Sequence, residues 1–259
     1  MIEPDVVLHV ISLDRTPERF ADFVGRNRIP GINIVKHPAI DGQSIDRQDL
    51  INLGVISPDL IFIDTAVACA LSHMQCWQLA VETGQTVLVC EDDAVLHRDF
   101  VGLYRNFIHQ VPNVDLLYWG FNLDMHVGYL VPGFGEVLTI FRESHFADQA
   151  NVAQFQTSTF NVNMHRLTRI FGALCYSISP KCAAFLLAEC LPMVNDSGGF
   201  TMPNGVGQRE SYEFHSWGID MHMGMFKVQN LESYVVVPPI VISPNDKTVS
   251  TIGDGLRTI

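Results

Sequence analysis

Apolar residues along the chain fall into short separated runs, and the spacing within each run predicts an α/β fold. Val6-Val7-Leu8-His9-Val10-Ile11 is a compact apolar run rich in β-branched residues, the pattern of a strand buried on both faces. Thr16-Pro17-Glu18-Arg19 follows almost at once, with Thr16 as helix N-cap and Pro17 at the first helical position, where its missing N–H costs nothing. A strand handing directly to a helix is the opening of an α/β domain. Asn33-Ile34-Val35 predicts a second strand that ends near Ala39-Ile40-Asp41-Gly42. From Asp64-Thr65 the apolar residues Val67, Ala70, Leu71, Met74, Trp77 and Val81 recur every three to four positions, which predicts a helix ending at Glu82-Thr83-Gly84. On that helix His73 projects away from the apolar stripe. Residues 86–90 form the next buried strand and run straight into Glu91-Asp92-Asp93. Further strands are expected at 115–120 and 175–178, the latter followed by a helix from Ser179-Pro180 to Glu189.

Two stretches lack a period. Residues 122–170 are mixed and rich in aromatics, and residues 195–211 carry the Gly, Asn, Ser and Pro of a loop. Loops of that length are often lids or binding loops, so this one is expected to be mobile and to close over a ligand. No repeat or linker divides the chain, and a single domain over 1–259 is expected, with 122–170 and 195–216 as insertions.

Composition narrows the function. Of 259 residues 47% are hydrophobic, which excludes a mainly disordered chain. Charged residues make up 17%, against an average of about 25%. A surface with so little charge suits self-association or contact with a lipid-linked substrate. The net charge of −12 supplies no positive field for a nucleic-acid backbone or an anionic bilayer. The six cysteines, at 69, 76, 90, 175, 182 and 190, form no CxxC pair and sit mostly in apolar runs, as reduced structural thiols do. The acidic, proline-bearing start is unlike a signal peptide, and the longest apolar run, 234–243, is broken by Pro238-Pro239; a soluble cytoplasmic protein is the expectation.

The acidic triplet is the most informative feature. A buried strand that ends in consecutive carboxylates delivers them to the sheet edge where open α/β sheets bind ligands. Alternation sends Glu91 and Asp93 to one side and Asp92 to the other. Clustered carboxylates repel unless a cation or donors compensate, so a hard divalent metal is a natural partner, against the plainer reading of a solvated acidic turn.

Several blocks, in order, resemble glycosyltransferase family 25, the lipooligosaccharide galactosyltransferases and their procollagen-modifying relatives. Val10-Ile11-Ser12-Leu13-Asp14-Arg15 with Arg19 resembles that family's opening, and Ala39-Ile40-Asp41-Gly42 its next block. Ala68-Cys69-Ala70-Leu71-Ser72-His73 with Trp77 is similar to a further motif, and residues 87–94 to the strand ending in the acidic triplet. Phe171-Gly172-Ala173, Tyr176-Ser177-Ile178-Ser179, Pro238-Pro239 and Ser250-Thr251-Ile252 complete the series.

The resemblance implies an α/β fold of GT-A type, a single domain with a mixed, mainly parallel central sheet. It implies transfer of a hexose, usually galactose from UDP-galactose, to a saccharide acceptor with inversion, the acceptor being lipid-linked in some relatives. By that analogy the triplet holds Mn²⁺ or Mg²⁺. Asp93 is the foremost ligand, and Glu91 or Asp92 contacts the ribose or the metal's water. Asp14, Arg15, Asp41 and His73 are expected to contact the donor. The general base is sought in the C-terminal half among Asp196, Glu213 and Asp220, with Asp220 preferred. His222 is expected as a further metal ligand, with His215 a weaker choice. Homo-oligomers or peripheral membrane association fit the low charge. A catalytically silent scaffold is the alternative.

Overall fold

A computed structural model describes residues 5–111, 113–141, 149–203, 206, 208–227 and 231–244 of the chain. Its elements in order are β1 (Val6–Ser12), α1 (Pro17–Arg26), β2 (Ile32–Pro38), a 3₁₀ turn at Gly42–Ser44, α2 (Arg47–Asn52), α3 (Asp64–Thr83), β3 (Val87–Glu91), β4 (Val95–Leu96) and α4 (Phe100–Ile108). Next come β5 (Leu116–Gly120), β6 (His126–Val131), β7 (Gly135–Ile140), α5 (Gln149–Thr157), β8 (Asn163–Arg169), β9 (Cys175–Ile178) and α6 (Pro180–Glu189). The last are β10 (Ser197–Pro203), β11 (Arg209–His215), α7 (Ile219–Met221) with a π-turn at His222–Phe226, β12 (Ser233–Val237) and β13 (Val241–Ile242).

One large mixed sheet runs β2-β1-β3-β9-β5-β12-β8-β6-β7, with β13 beside β5 and β4 beside β13. β1 pairs in parallel with both β2 and β3, and β5 with β12. β9 lies antiparallel between β3 and β5, so β2, β1, β3, β5 and β12 share one direction around a single reversed strand.

Alternation along the strands sorts the core into two layers. Val87 and Val89 of β3, Tyr118 of β5 and Tyr176 of β9 face the layer that holds α3 and α6. Leu88 and Cys90, Leu117 and Trp119, and Cys175 face the layer holding α1 and α4. The strand period therefore continues into the acidic triplet, with Glu91 toward α3 and Asp92 toward α1.

The helix at 64–83 differs from its predicted amphipathic form. Ala66, Val67, Ala68, Ala70, Ser72, His73, Met74, Cys76, Trp77 and Ala80 are all buried, because α3 is packed against both the sheet and α6. His73, expected off the apolar stripe, is fully buried. The expected mobile loop at 195–211 is instead a β-hairpin in which β10 and β11 pair from Ser197↔His215 to Pro203↔Arg209. Phe200 and Phe214 pack on Phe171, Met221 and Met225, and that aromatic face outweighs the weak strand propensity of Gly198 and Gly199. The aperiodic stretch 122–170 holds β6, β7, α5 and β8. The closing motif Ser250-Thr251-Ile252 lies outside the described residues. No helix among the described residues is long and apolar enough to cross a membrane.

Candidate functional site

The C-terminal ends of β1 and β3 frame a polar cleft of about 100 Å³, lined among others by Ser12, Arg15, Arg19, Gly42, Cys69 and Glu91. The parallel pairing Ile11↔Glu91 brings the loop after β1 beside the triplet. Gly42 closes the cleft against α3. A Cβ there would lie 2.7 Å from Thr65 Cγ2 and 2.8 Å from Thr65 Cα, so only glycine lets the 3₁₀ turn approach the helix. Ser72 joins the two elements, accepting the Ile40 N–H at 2.9 Å while its hydroxyl donates to Ala68 O at 2.7 Å.

The three carboxylates have different surroundings. Asp92 accepts Ser12 Oγ–H at 2.7 Å and Arg19 Nε–H at 3.0 Å, and Arg19 Nη2 completes a forked pair. Both of its oxygens are thus engaged inside the protein, and Asp92, at the wall of the cleft, ties α1 to β3. Glu91 lies against α3 with Oε1 3.5 Å from His73 Nε2. Asp93 accepts Ser243 Oγ–H at 2.8 Å on one oxygen, while its other oxygen, Oδ1, is buried without a hydrogen-bond partner. Burial, and then repulsion from Glu91, push the Asp93 carboxyl up to about 6. An unpartnered buried carboxylate oxygen is costly in an isolated protein and is what a bound cation would satisfy.

His73 is held from behind. Its Nδ1 is 2.9 Å from the Tyr176 hydroxyl, which also accepts the Trp77 Nε1–H at 2.9 Å. The ring's other nitrogen, Nε2, is buried without a hydrogen-bond partner and points at Glu91. Cys69, one helical turn earlier on α3, completes a group in which one ligand atom each of Cys69, His73 and Glu91 lie within 4.8 Å of one another. Burial, reinforced by Glu91, Asp220 and Asp93, pushes the Cys69 thiol well up. These four carboxylate and thiol groups therefore share one electrostatic neighbourhood. The five other cysteines are free and buried, as expected of structural thiols.

Asp220, the preferred base from sequence, is drawn into the same neighbourhood by α7. Its Oδ2 accepts the Gly172 N–H at 2.9 Å. Gly172 has φ +83, and a Cβ there would lie 2.4 Å from the Asn122 side chain, so the donor is available only because the residue is glycine. Burial raises the Asp220 carboxyl above its usual range; the N–H groups of Gly172 and Met221 oppose this, Glu91 adds to it, and His73 opposes it. That is the balance a proton acceptor needs.

The remaining expected residues are placed elsewhere. Asp14 is exposed and pairs with Lys36 at 2.6 Å, and Arg15 pairs with Asp41 at 2.6 Å on the cleft rim. His222, expected beside Asp93 as a metal ligand, is instead buried against Phe62 with Nδ1 3.1 Å from Asp196 Oδ2. It forms no metal-sized group with Glu91 and Asp93 among the described residues. Desolvation lowers its pKa, while Asp196 opposes that. Asp196 is thereby occupied, and Glu213 and His215 are exposed on β11. Arg19, Ser243 and Asn27 were not singled out from the sequence as site residues. Asn27 is fully buried and fastens the chain after the triplet, donating to Ala94 O at 3.0 Å and accepting the Leu96 N–H at 2.8 Å. A lone Asn at the end of a helix gives no sign of such a role.

A second, larger cavity of about 340 Å³ opens where Ile242 precedes Ser243, lined by Leu123, Phe155, Phe160, Pro238 and Pro239. Its lining is mostly apolar and includes none of the carboxylates.

The family model for glycosyltransferase family 25 (LPS biosynthesis protein) matches residues 6–197, which covers both sides of the cleft and the whole triplet. The chain belongs to glycosyltransferase family 25. The match ends before the β10–β11 hairpin is formed and before Asp220 and His222, so the family assignment rests on the cleft and not on the C-terminal residues. No curated protein matches the chain. Among solved structures the chain is similar to A197 from STIV, at 10% identity over 89% of this chain and 81% of that one, with a TM-score of 0.37. Family 25 membership carries a glycosyltransferase role in LPS biosynthesis, and with it a sugar donor and a saccharide acceptor.

Proposed function

We propose that this family 25 member transfers a hexose, galactose foremost, from a UDP-sugar to a saccharide hydroxyl with inversion, and that a divalent cation held at Glu91 is required. The observation that carries the reading is the pair of carboxylates at the sheet edge, Glu91 lining the cleft and Asp93 two residues on, neither in an ion pair with a Lys or Arg side chain among the described residues. A GT-A arrangement agrees with a central parallel strand that ends in such a cluster. The unpartnered Asp93 Oδ1 and His73 Nε2 are the atoms that make the residues a fit for a cation.

When bound, the cation offsets the charge that develops on a diphosphate leaving group. The chain supplies the rest. The loop after β1, with Arg15 and Asp41 on its rim, forms the wall against which a nucleoside would be held. Asp220, with its carboxyl raised by burial and steadied by Gly172 N–H, takes the proton from the attacking acceptor hydroxyl. Inversion follows from a single displacement with the base on the face opposite the leaving group.

A screen of nucleotide hexoses, read as UDP released in the presence and absence of a saccharide acceptor, tests the reading. Acceptor-dependent UDP release that disappears with chelator is expected. Absence of release with every UDP-hexose, in a protein that still melts cooperatively, would overturn it.

A further inference from the structure

We infer that Cys69, His73 and Glu91 form a zinc-class metal centre, with Cys69 Sγ, His73 Nε2 and a Glu91 carboxylate oxygen as three protein ligands and an open position facing the cleft. The proposal deepens the transferase reading above by naming the cation's seat and its chemical class. Three observations carry it. The three ligand atoms lie within 4.8 Å of one another, so a modest inward rotation of the side chains brings them to the spacing of about 3.3–3.8 Å that tetrahedral ligands at about 2.0–2.3 Å from one ion require. His73 is fully buried, and its Nε2 is aimed at Glu91 without a hydrogen-bond partner. Its other nitrogen already meets the Tyr176 hydroxyl at 2.9 Å, and Trp77 fixes that hydroxyl in turn. A metal-ligating imidazole is normally held in this way through its second nitrogen.

The ligand set decides the metal. One sulfur, one imidazole nitrogen and one carboxylate oxygen suit Zn²⁺ or Co²⁺, with Mn²⁺ weaker, whereas Mg²⁺ requires oxygen ligands. Mg²⁺, one of the two ions expected from the sequence, is therefore the poor fit. Three protein ligands with a fourth position open is the form of a reactive zinc site rather than a structural one. On binding, the Cys69 S–H bond breaks, its proton leaves to the solvent and the sulfur–metal bond forms. The dication with one thiolate and one carboxylate is then formally neutral. Cys69 and His73 are four residues apart on α3, so the helix presents both on one face without any loop rearrangement.

The test uses the full chain, stripped with chelator and titrated with Co²⁺. About one equivalent is expected to bind, with the near-ultraviolet charge-transfer band that thiolate ligation gives. Zn²⁺ should abolish the band by displacement, and Mg²⁺ should leave it unchanged. Cys69→Ser should remove the band, and His73→Gln should weaken Co²⁺ binding about 10- to 100-fold or more. Because both substitutions fall on a buried helix and can disturb folding, the parent protein provides an independent readout. Cys69 is the one cysteine of the six whose residue is not fully buried and it lines the cleft, so Zn²⁺ should protect it from alkylation and Mg²⁺ should not. Co²⁺ bound without the band, a band that survives in Cys69→Ser, or equal alkylation with and without Zn²⁺ would each overturn the site. UDP-hexose turnover supported by Mg²⁺ with no band would overturn this centre and leave the transferase reading standing. A band without UDP release from any UDP-hexose would do the reverse.

Discussion

The two sides of β3 treat neighbouring carboxylates in opposite ways. On the α1 side, Asp92 is buried but met by Arg19 and Ser12, so the fold itself supplies the compensating charge and donors. On the α3 side, Glu91 meets a histidine nitrogen at 3.5 Å and no Lys or Arg ion-pair partner among the described residues, and Asp93, just past the strand, keeps one buried oxygen without a hydrogen-bond partner. The residues are adjacent in sequence and of one chemical type, and strand alternation alone separates Asp92 from Glu91. A carboxylate that the chain neutralises holds elements together, whereas one it leaves uncompensated is available to a ligand.

The sharpest way to break this contrast is to remove the charge on each side in turn. Glu91→Gln should reduce sugar transfer by about 10²–10³-fold, the usual loss for one electrostatic contact to a reacting group. Its melting temperature should stay near that of the parent, since no partner is stranded; steady-state UDP release and a thermal melt check both. Arg19→Ala should act the other way round, costing about 3 kcal/mol of stability because Asp92 is left buried and unpaired. Denaturant unfolding measures that loss, and Arg19→Ala with Asp92→Ala should recover part of it. A stable Arg19→Ala protein would show that Asp92 is not the anchor described here.

Smaller effects sharpen the picture at the rim. Gly42→Ala places a methyl 2.7 Å from Thr65 Cγ2 and 2.8 Å from Thr65 Cα, and should cost about 1–3 kcal/mol with weakened UDP binding, read by unfolding and calorimetry. The smallest expected change is a pH control away from both sides. His126 is buried between Phe171 and Phe200, and burial, then Arg169, lower its pKa from 6.5. Its stabilising contribution is present above the unfolded value and is lost as pH falls through the folded one. His126→Gln should flatten the melting temperature between pH 7 and the acid side, and an unchanged slope would place the titration elsewhere.

The sequence was most legible where one local rule decided the outcome. The run at Val6–Ser12, the apolar strand before Glu91 and the split between Glu91 and Asp92 follow from β-branched content and a period of two. It misled where packing set the answer. His73 appears polar on a helical wheel, but α3 is covered on nearly all sides, so the wheel no longer separates core from surface. The hairpin at 197–215 is hidden by its glycines, and only the stacking of Phe200, Tyr212 and Phe214 explains it. Within the site, Asp220 and Glu91 were readable as types of residue. The hydrogen bond that equips Asp220 depends on the left-handed backbone of Gly172, which no residue spacing announces.

The reversed strand β9 has a consequence for the order in which the molecule can be made. β3 pairs with the earlier β1 on one edge, but its other edge cannot be filled until residues 175–178 have been synthesised, more than eighty positions later. A chain emerging from its N-terminus therefore carries β3 with one unpaired, apolar edge through much of its synthesis, a template for pairing with another nascent copy. The same strand brings Tyr176, so the imidazole of His73 is not fixed before that edge is sealed. Completion of the metal-ready side and protection from aggregation thus occur in a single late step, slowed by the long sequence separation of the pairing.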